Sequence, residues 1–168
     1  MNLAELLTID RIVPEMEATE HWPAIEELVE HIDRLGLLEA DTKLEVLAAL
    51  REREERISTG IGLGVAIPHA FSDNVPEVLA VFGRSLKGID FESIDNAPVK
   101  FVVLFVVPRD KYHEHLRTLA AIAKIFHNGE IRSQLTGATD AEGILRVLRE
   151  RVKGTTGEEE GAVREGAR

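Results

Sequence analysis

The sequence VKFVVLFVV, residues Val99–Val107, is apolar almost throughout. A strand that is apolar on both faces is typical of a central strand covered by helices on each side of a sheet. Its unbroken apolar core, Phe101–Val107, is far too short to cross a bilayer. Pro108 follows and ends the strand. This run therefore predicts an α/β protein rather than a membrane segment.

The segments around this strand complete the prediction. A second strand is expected at Val78–Leu86, and residues 3–18 are expected to form an extended lead-in. Apolar residues at helical spacing predict helices over Pro23–Leu35, His113–Phe126 and Glu130–Leu135, and two more that begin at Asp41 and Asp140. In the helix that begins at Asp41, the side chains of Leu44, Leu47 and Leu50 are expected to face inward. Helices flanking a few strands indicate an α/β sandwich around a mixed sheet.

Composition limits the function. The 168 residues suffice for one domain with a real core, and the absence of cysteine excludes disulfides, cysteine-based zinc sites and thiol catalysis. A net charge of −10 argues against a nucleic-acid partner and suits a basic protein partner. The amino terminus, MNLAELLTIDR, lacks the features of a secretory signal, so a cytoplasmic location and no membrane insertion are expected.

The segment STGIGLGVAIPH, residues Ser58–His69, carries the chemical signal. Glycines at alternate positions, Gly60 to Gly64, would let backbone amides approach an anion. Val65–Ile67 predicts a brief strand, which Pro68 stops, leaving His69 immediately after it. A histidine in such a place is more often a turn residue that bonds to the backbone. The glycines are not a nucleotide-binding loop, because no Gly-Lys-Ser/Thr follows.

The other histidines differ in their placement. His21, His31 and His127 lie in or beside amphipathic helices and are interpreted as surface or boundary residues. His113 and His115 begin the helix after the central strand, where α/β proteins usually bind ligands and where an imidazole tends to be neutral. His-x-His is also a weak metal pattern, with His69 as a third ligand, although no carboxylate is obviously placed to complete it.

Arg53 lies in the charged run Arg51–Arg56, just before the glycine-rich segment. Such a run is usually a solvated helix end, but a guanidinium there could bind phosphate oxygens through its planar fork. A neutral imidazole can carry a phosphoryl group as a phosphoramidate. That transfer needs in-line positioning and donors for three oxygens. With His69 as the nucleophile, backbone amides, Arg53 and a second histidine would supply these donors without a metal.

Several of these stretches together resemble a known family. Arg53-Glu54, Ser58–Gly62, Ala66–His69, Phe91–Val99 and His115–Leu119 are similar to the IIA domain of the bacterial phosphoenolpyruvate-dependent sugar phosphotransferase system, fructose/mannitol type, which includes the nitrogen-regulatory IIA protein. The resemblance covers nearly all of residues 1–152. Residues 153–168 change composition and are expected to be a disordered tail.

The resemblance implies a three-layer α/β/α sandwich and a metal-free, cofactor-free phosphohistidine carrier. The residue matching His69 accepts phosphate on Nε2 from phosphorylated HPr and passes it to a IIB domain. Arg53 and His115, not His113, match the other two active-site residues. Leu63 and Ala70 depart from the family, which commonly has asparagine and glycine there.

Three other functions remain open from the sequence. The chain could be a regulatory module whose phosphorylation state is read by a partner protein without sugar transport. It could, more remotely, be a metal-dependent hydrolase. A purely structural adaptor would leave Arg53, His69 and His115 freely replaceable.

Overall fold

A computed structural model describes residues 3–150, so the expected tail at 153–168 lies outside the described residues. Across this range a single sheet is formed by strands β1 (Ile12–Val13), β2 (Gly60–Gly62), β3 (Val65–Ala66), β4 (His69–Phe71), β5 (Leu79–Ile89) and β6 (Val99–Val107). The helices are α1 (Leu3–Leu6), α2 (His21–Arg34), α3 (Ala40–Arg56), α4 (Tyr112–His127), α5 (Gly129–Gly137) and α6 (141–150).

Strand β6 is the centre of this sheet, as its sequence predicts. It pairs antiparallel with β5 and parallel with both β3 and β4. Strand β1 lies parallel to β5 at one edge, and β2 lies antiparallel to β3 at the other. The mixed sheet is therefore confirmed.

Helices cover both faces of the sheet. Val102, Leu104 and Val106 pack into a core that includes side chains of α2 and α3. Their neighbours Val103 and Phe105 face the opposite core, which holds side chains of α4, α5 and α6. Successive residues of a strand point to opposite faces, so a strand buried on both sides must be apolar at every position. The three-layer α/β/α architecture is confirmed.

Strands β3 and β4 are one strand interrupted at Pro68. Val65 pairs with Phe101 and His69 pairs with Phe105, which is the same register on β6. The Pro68 carbonyl still accepts a hydrogen bond from the Phe105 amide at 3.0 Å, so the chain stays against β6 through the break. The strand does stop before His69, as expected, but His69 then opens a second strand segment whose backbone is fixed by β6.

Other local predictions were adjusted or wrong. The amino-terminal segment contains the short helix α1 rather than an extended lead-in. Asp41 is not the N-cap of α3, because that helix begins at Ala40 and Glu39 occupies the cap position without a side-chain bond. Leu44 is 69% exposed. Asp140 does cap α6, since its Oδ1 accepts a hydrogen bond from the Gly143 amide at 2.8 Å.

The buried face of α3 runs through residues four apart, namely Thr42, Val46, Leu50 and Glu54. This stripe ends in a carboxylate next to Arg53, at the edge of the sheet that carries β4. No helix within residues 3–150 combines the length and apolar character needed to cross a bilayer.

Candidate active site

The ring of His69 is held by its own backbone neighbourhood. Its Nδ1 lies 2.9 Å from the Ile67 carbonyl oxygen. Because a carbonyl only accepts, Nδ1 carries the proton, and the lone pair of the neutral ring lies on Nε2. Burial lowers the pKa of His69, and the positive charge of Arg53 lowers it further, while the bond to Ile67 and the charge of Glu54 oppose this. The geometry thus presents a neutral imidazole with a free Nε2.

His115 lies beside this ring, as the sequence suggested for the helix after β6. It occupies the first turn of α4, is 3% exposed, and its ring centroid lies 5.3 Å from that of His69. Phe71 and Phe105 contact its ring at centroid distances of 5.7 and 5.3 Å. Burial, and secondarily the nearby His69, lower the pKa of His115 to about 4. His115 is therefore neutral at physiological pH.

The Nε2 atom of His115 is buried and makes no hydrogen bond within the described residues. Buried polar atoms are usually paired, because an unpaired one costs about 1–3 kcal/mol. An atom of this kind beside a second imidazole is typical of a site that completes its hydrogen bonds with a bound group.

Arg53 reaches the same place from the last turn of α3. Its Nη1 donates to the Ile57 carbonyl at 2.7 Å, which holds the guanidinium at the helix end. Arg53 and His69 together line two grooves, of about 410 and 380 Å³. Arg53 of α3 and His115 of α4 therefore each lie beside His69 of β4.

The two grooves differ in character. The larger is mostly apolar, with side chains from the end of α3, the glycine-rich segment, the loop between β5 and β6, and α4, namely Ile57, Ile61, Ile67, Ile94, Leu119, Ala120 and Ala123. Ile94 and Ile57 are 71% and 59% exposed. The smaller groove carries Arg56 and Arg109 beside Phe71. His69 is thus reachable from solvent through a mostly apolar groove and through a charged groove, in which Glu52 accompanies the arginines.

In the glycine-rich segment, two of the amides that were expected to approach an anion are already engaged within the protein. The segment is a β-hairpin, because β2 pairs with β3 and the turn between them has positive φ at Leu63 and Gly64. The amides of Gly60 and Leu63 already donate to the Ser58 hydroxyl and the Asp95 carboxylate. Gly60 is required for packing, since a Cβ there would clash with the side chain of Ser93.

His113 does not join the site. Its side chain is exposed and contacts the ring of Tyr112, with the centroids 5.7 Å apart. Residues 3–150 hold no group of three or more His, Cys, Asp or Glu side chains arranged to bind a metal ion. The structure therefore does not assemble the metal pattern of His69, His113 and His115.

Sequence reasoning missed the residues behind Arg53 and His69. Glu54 is buried, its carboxylate accepts hydrogen bonds from both the amide and the hydroxyl of Thr59, and His21 Nε2 lies 2.7 Å from it. The four-residue spacing of the buried face of α3 would have pointed to Glu54. Its partner His21, 33 residues away in the chain, leaves no local signal.

The two residues that depart from the family pattern differ in their backbone conformation: that of Ala70 is ordinary and that of Leu63 is strained. Ala70 is a buried residue of β4 paired with Val106, and its φ is not positive, so the structure does not require glycine there. Leu63 has φ 59° at the hairpin turn, a conformation that leucine adopts with strain.

Comparison with known proteins agrees with this architecture. The family model described as the phosphoenolpyruvate-dependent sugar phosphotransferase system, EIIA 2, matches residues 5–151. The chain belongs to this family. The resemblance drawn from the sequence is therefore confirmed, and domains of this family are components of phosphoryl transfer.

EIIA 2 relatives of this chain carry two kinds of name. The fructose-specific EIIABC component of Bacillus subtilis is 34% identical over 91% of this chain, which spans only 24% of that protein. The nitrogen regulatory protein of Bradyrhizobium diazoefficiens is 31% identical over 88% of this chain and 95% of its own length. The fructose-specific EIIA component of Haloferax volcanii is 32% identical over 91% of this chain and its full length.

Solved EIIA structures show the same fold. The nitrogen regulatory protein IIA-Ntr of Neisseria meningitidis superposes with a TM-score of 0.79 at 31% identity, covering 87% of this chain and 98% of that one. IIA mannitol of Escherichia coli gives a TM-score of 0.71 at 21% identity, covering 84% and 98% of the two chains. The latter likeness concerns the fold alone.

Proposed function

We propose that this EIIA chain is a phosphohistidine carrier that takes a phosphoryl group from phosphorylated HPr onto His69 and passes it to a second protein. The observation that carries the proposal is the hydrogen bond from His69 Nδ1 to the Ile67 carbonyl. It fixes the tautomer and orients the Nε2 lone pair, the two things a nitrogen nucleophile needs.

The chemistry requires little beyond these residues. The Nε2 lone pair attacks phosphorus, a new N–P bond forms, and the N–P bond to the donor histidine breaks. The phosphorylated ring keeps its Nδ1 proton on the Ile67 carbonyl, so no proton has to move at His69 during transfer. Arg53 and the His115 Nε2 donate to the phosphoryl oxygens as charge spreads over them. Onward transfer reverses the same steps.

The acceptor is a IIB domain in the first form of this proposal. A solved complex of Escherichia coli enzyme IIAMTL with phosphorylated enzyme IIBMTL shows such a pairing for a protein of the same fold. The exposed isoleucines beside His69 give a partner an apolar surface on which to exclude water from the transferred group.

A regulatory role is the second candidate. It is favoured by the nitrogen regulatory relatives, which this chain matches over nearly their whole length. In this form the acceptor is a protein whose activity depends on whether His69 is phosphorylated. A pull-down with the phosphorylated chain distinguishes the two, because only the first predicts a IIB domain that becomes phosphorylated.

The direct test is phosphoryl labelling from labelled phosphoenolpyruvate with enzyme I and HPr. The wild-type chain should acquire acid-labile phosphate, and His69→Ala should acquire none. His113→Ala is the matched control, since His113 is exposed and outside the site, and it should be labelled normally. Equal labelling of His69→Ala and the wild type would contradict the assignment of the nucleophile.

A further inference from the structure

A continuous series of hydrogen bonds connects His21, the first residue of α2, to His69. His21 Nε2 lies 2.7 Å from Glu54 Oε2, and the same carboxylate oxygen accepts the Thr59 amide at 3.1 Å. The Thr59 carbonyl accepts the Ile67 amide at 3.0 Å. The Ile67 carbonyl in turn accepts His69 Nδ1 at 2.9 Å. Each step fixes the next group along the path.

The far end of the path is built to hold a charged imidazole. The two ring nitrogens of His21 both face carboxylates, Glu54 at 2.7 Å and Glu92 at 3.5 Å. A neutral imidazole can donate through only one nitrogen, whereas the imidazolium donates through both. The ring also packs against Phe91 in a tilted arrangement, with centroids 4.1 Å apart, which restricts its orientation.

We propose that His21 is a positioning residue of the phosphoryl-transfer site. Its imidazolium holds the buried Glu54 carboxylate, which anchors Thr59 and thereby the Ile67 peptide that orients the nucleophile. Glu54 is also the neighbour of Arg53 on α3, so the same contact steadies the helix end that carries the guanidinium. The inference rests on the proposed function, because it names what positions the groups of that site.

The charged groups around His21 favour its protonated form. Glu54 and Glu55 of α3 and Glu92 of the loop between β5 and β6 face it, while Arg51 of α3 is the opposing cation. The Arg51 guanidinium is engaged over the ring of Trp22, 5.0 Å from its centroid. Burial alone lowers the pKa of His21, but hydrogen bonds and charge attraction from Glu54 and then Glu92 raise it above its ordinary value.

A pH dependence follows from these signs. Because the pKa of His21 is raised in the folded state, its ring is fully protonated and paired with the carboxylates below the ordinary histidine pKa. The ring loses its proton, and with it this pairing, as pH rises through the raised pKa. His69 has the opposite shift, and its Nε2 becomes available as pH rises through a lowered pKa. Transfer to His69 should therefore rise on the acidic side because of His69 and decline on the alkaline side because of His21.

The kinetic test compares wild type, His21→Lys and His21→Gln in the full chain. Phosphorylated HPr is prepared beforehand, and the rate of transfer to each variant is measured from about pH 5 to 9. Dividing each rate by the wild-type rate at the same pH cancels the pH dependence of the donor. Lysine stays charged in this range. His21→Lys should match the wild type at low pH and exceed it about fivefold at high pH, and His21→Gln should be about fivefold slower at low pH.

The matched control is His31→Gln on the same helix. His31 Nε2 bonds to the Asp10 carbonyl and lies outside the path, so its ratio to wild type should be independent of pH. Ratios for His21→Lys and His21→Gln that stay constant and near one across the range would overturn the proposal.

A second measurement keeps the inference separate from the proposed function. In NMR titrations of the unphosphorylated wild type, the Thr59 amide should shift with the same midpoint as the His21 ring, and this transition should vanish in His21→Lys. If His69 is never phosphorylated, the carrier function fails, and the titration alone still tests the path. A Thr59 amide that does not follow His21 overturns the inference whatever the kinetics show.

Discussion

The imidazole rings of His69 and His115 lie with their centroids 5.3 Å apart, one on β4 and the other on α4. Both have a lowered pKa, because burial disfavours the charged form of each. Two neutral rings at this distance leave one nitrogen on each able to act on a common group. A phosphoryl group suits them, since one ring contributes a lone pair and the other an N–H.

Replacing His115 should separate the two half-reactions. Without the Nε2 donor, the phosphoryl group loses one charge-assisted hydrogen bond in the transition state of transfer, worth about 1.5–3 kcal/mol, or roughly 10–100-fold in rate. We expect His115→Ala to slow onward transfer by this factor and to slow acceptance from phosphorylated HPr less. His115→Asn keeps an N–H donor and should lose less than alanine. Rapid-quench measurement of each half-reaction checks this, and equal losses in both would contradict the division of roles.

His115 should also make the stability of the fold depend on pH. Its pKa is about 4 in the folded chain, whereas an unfolded histidine titrates near about 6.5. Below the unfolded value the unfolded chain binds a proton that the folded chain does not, so the free energy of unfolding falls as pH decreases from about 6.5 towards 4. Urea denaturation across this range should show a smaller decline for His115→Asn than for the wild type. Parallel declines would mean that His115 titrates normally.

Arg53 should not be replaceable by lysine. Its guanidinium is held against the Ile57 carbonyl and lines both grooves beside His69, where a planar fork can bind two phosphoryl oxygens at once. We expect Arg53→Lys to reduce the rate of His69 phosphorylation about tenfold. Arg56→Lys is the control, because Arg56 lies in the same helix end, pairs with Glu52 and lines only one of the two grooves. A comparable loss in both variants would indicate a general charge effect.

The central strand could be predicted because its signal is local, whereas the assignment of Arg53, His69 and His115 came from the family resemblance and stays a prediction. The apolar run of β6 requires cover on both faces, and Pro68-His69 together with α4, which begins at Tyr112 and carries His115, lies at the carboxyl end of β6. The exact placement of His69 could not be predicted, since the continuous register across Pro68 depends on hydrogen bonds to β6.

The network behind the site could not be predicted for a related reason. Glu54 belongs to a charged run that usually marks a solvated helix end, and only tertiary packing shows that it is buried. The same packing decides which face of α3 is buried: Val46 is on that face, and Leu44, which was expected there, is exposed. His21 carries no sign in its own segment that it pairs with a carboxylate 33 residues further along the chain.

Leu63 identifies a position where stability can be gained without touching the site. It has φ 59° at the turn of the β2–β3 hairpin and is 45% exposed, so its side chain contributes little packing to offset the backbone strain. Asparagine tolerates this left-handed conformation better than other non-glycine residues, whereas a β-branched residue tolerates it worst.

We therefore expect Leu63→Asn to raise the free energy of unfolding by about 0.5–1 kcal/mol and Leu63→Val to lower it. Both substitutions leave the Leu63 amide free to donate to Asp95, so the hairpin keeps its anchor. Chemical denaturation of the two variants and the wild type measures their free energies of unfolding. Because both substitutions are at the same exposed position, the comparison between them isolates the effect of the backbone conformation. If Leu63→Val is as stable as Leu63→Asn, the turn is not strained. Unchanged phosphorylation of Leu63→Asn would confirm that the hairpin turn is separate from the chemistry at His69.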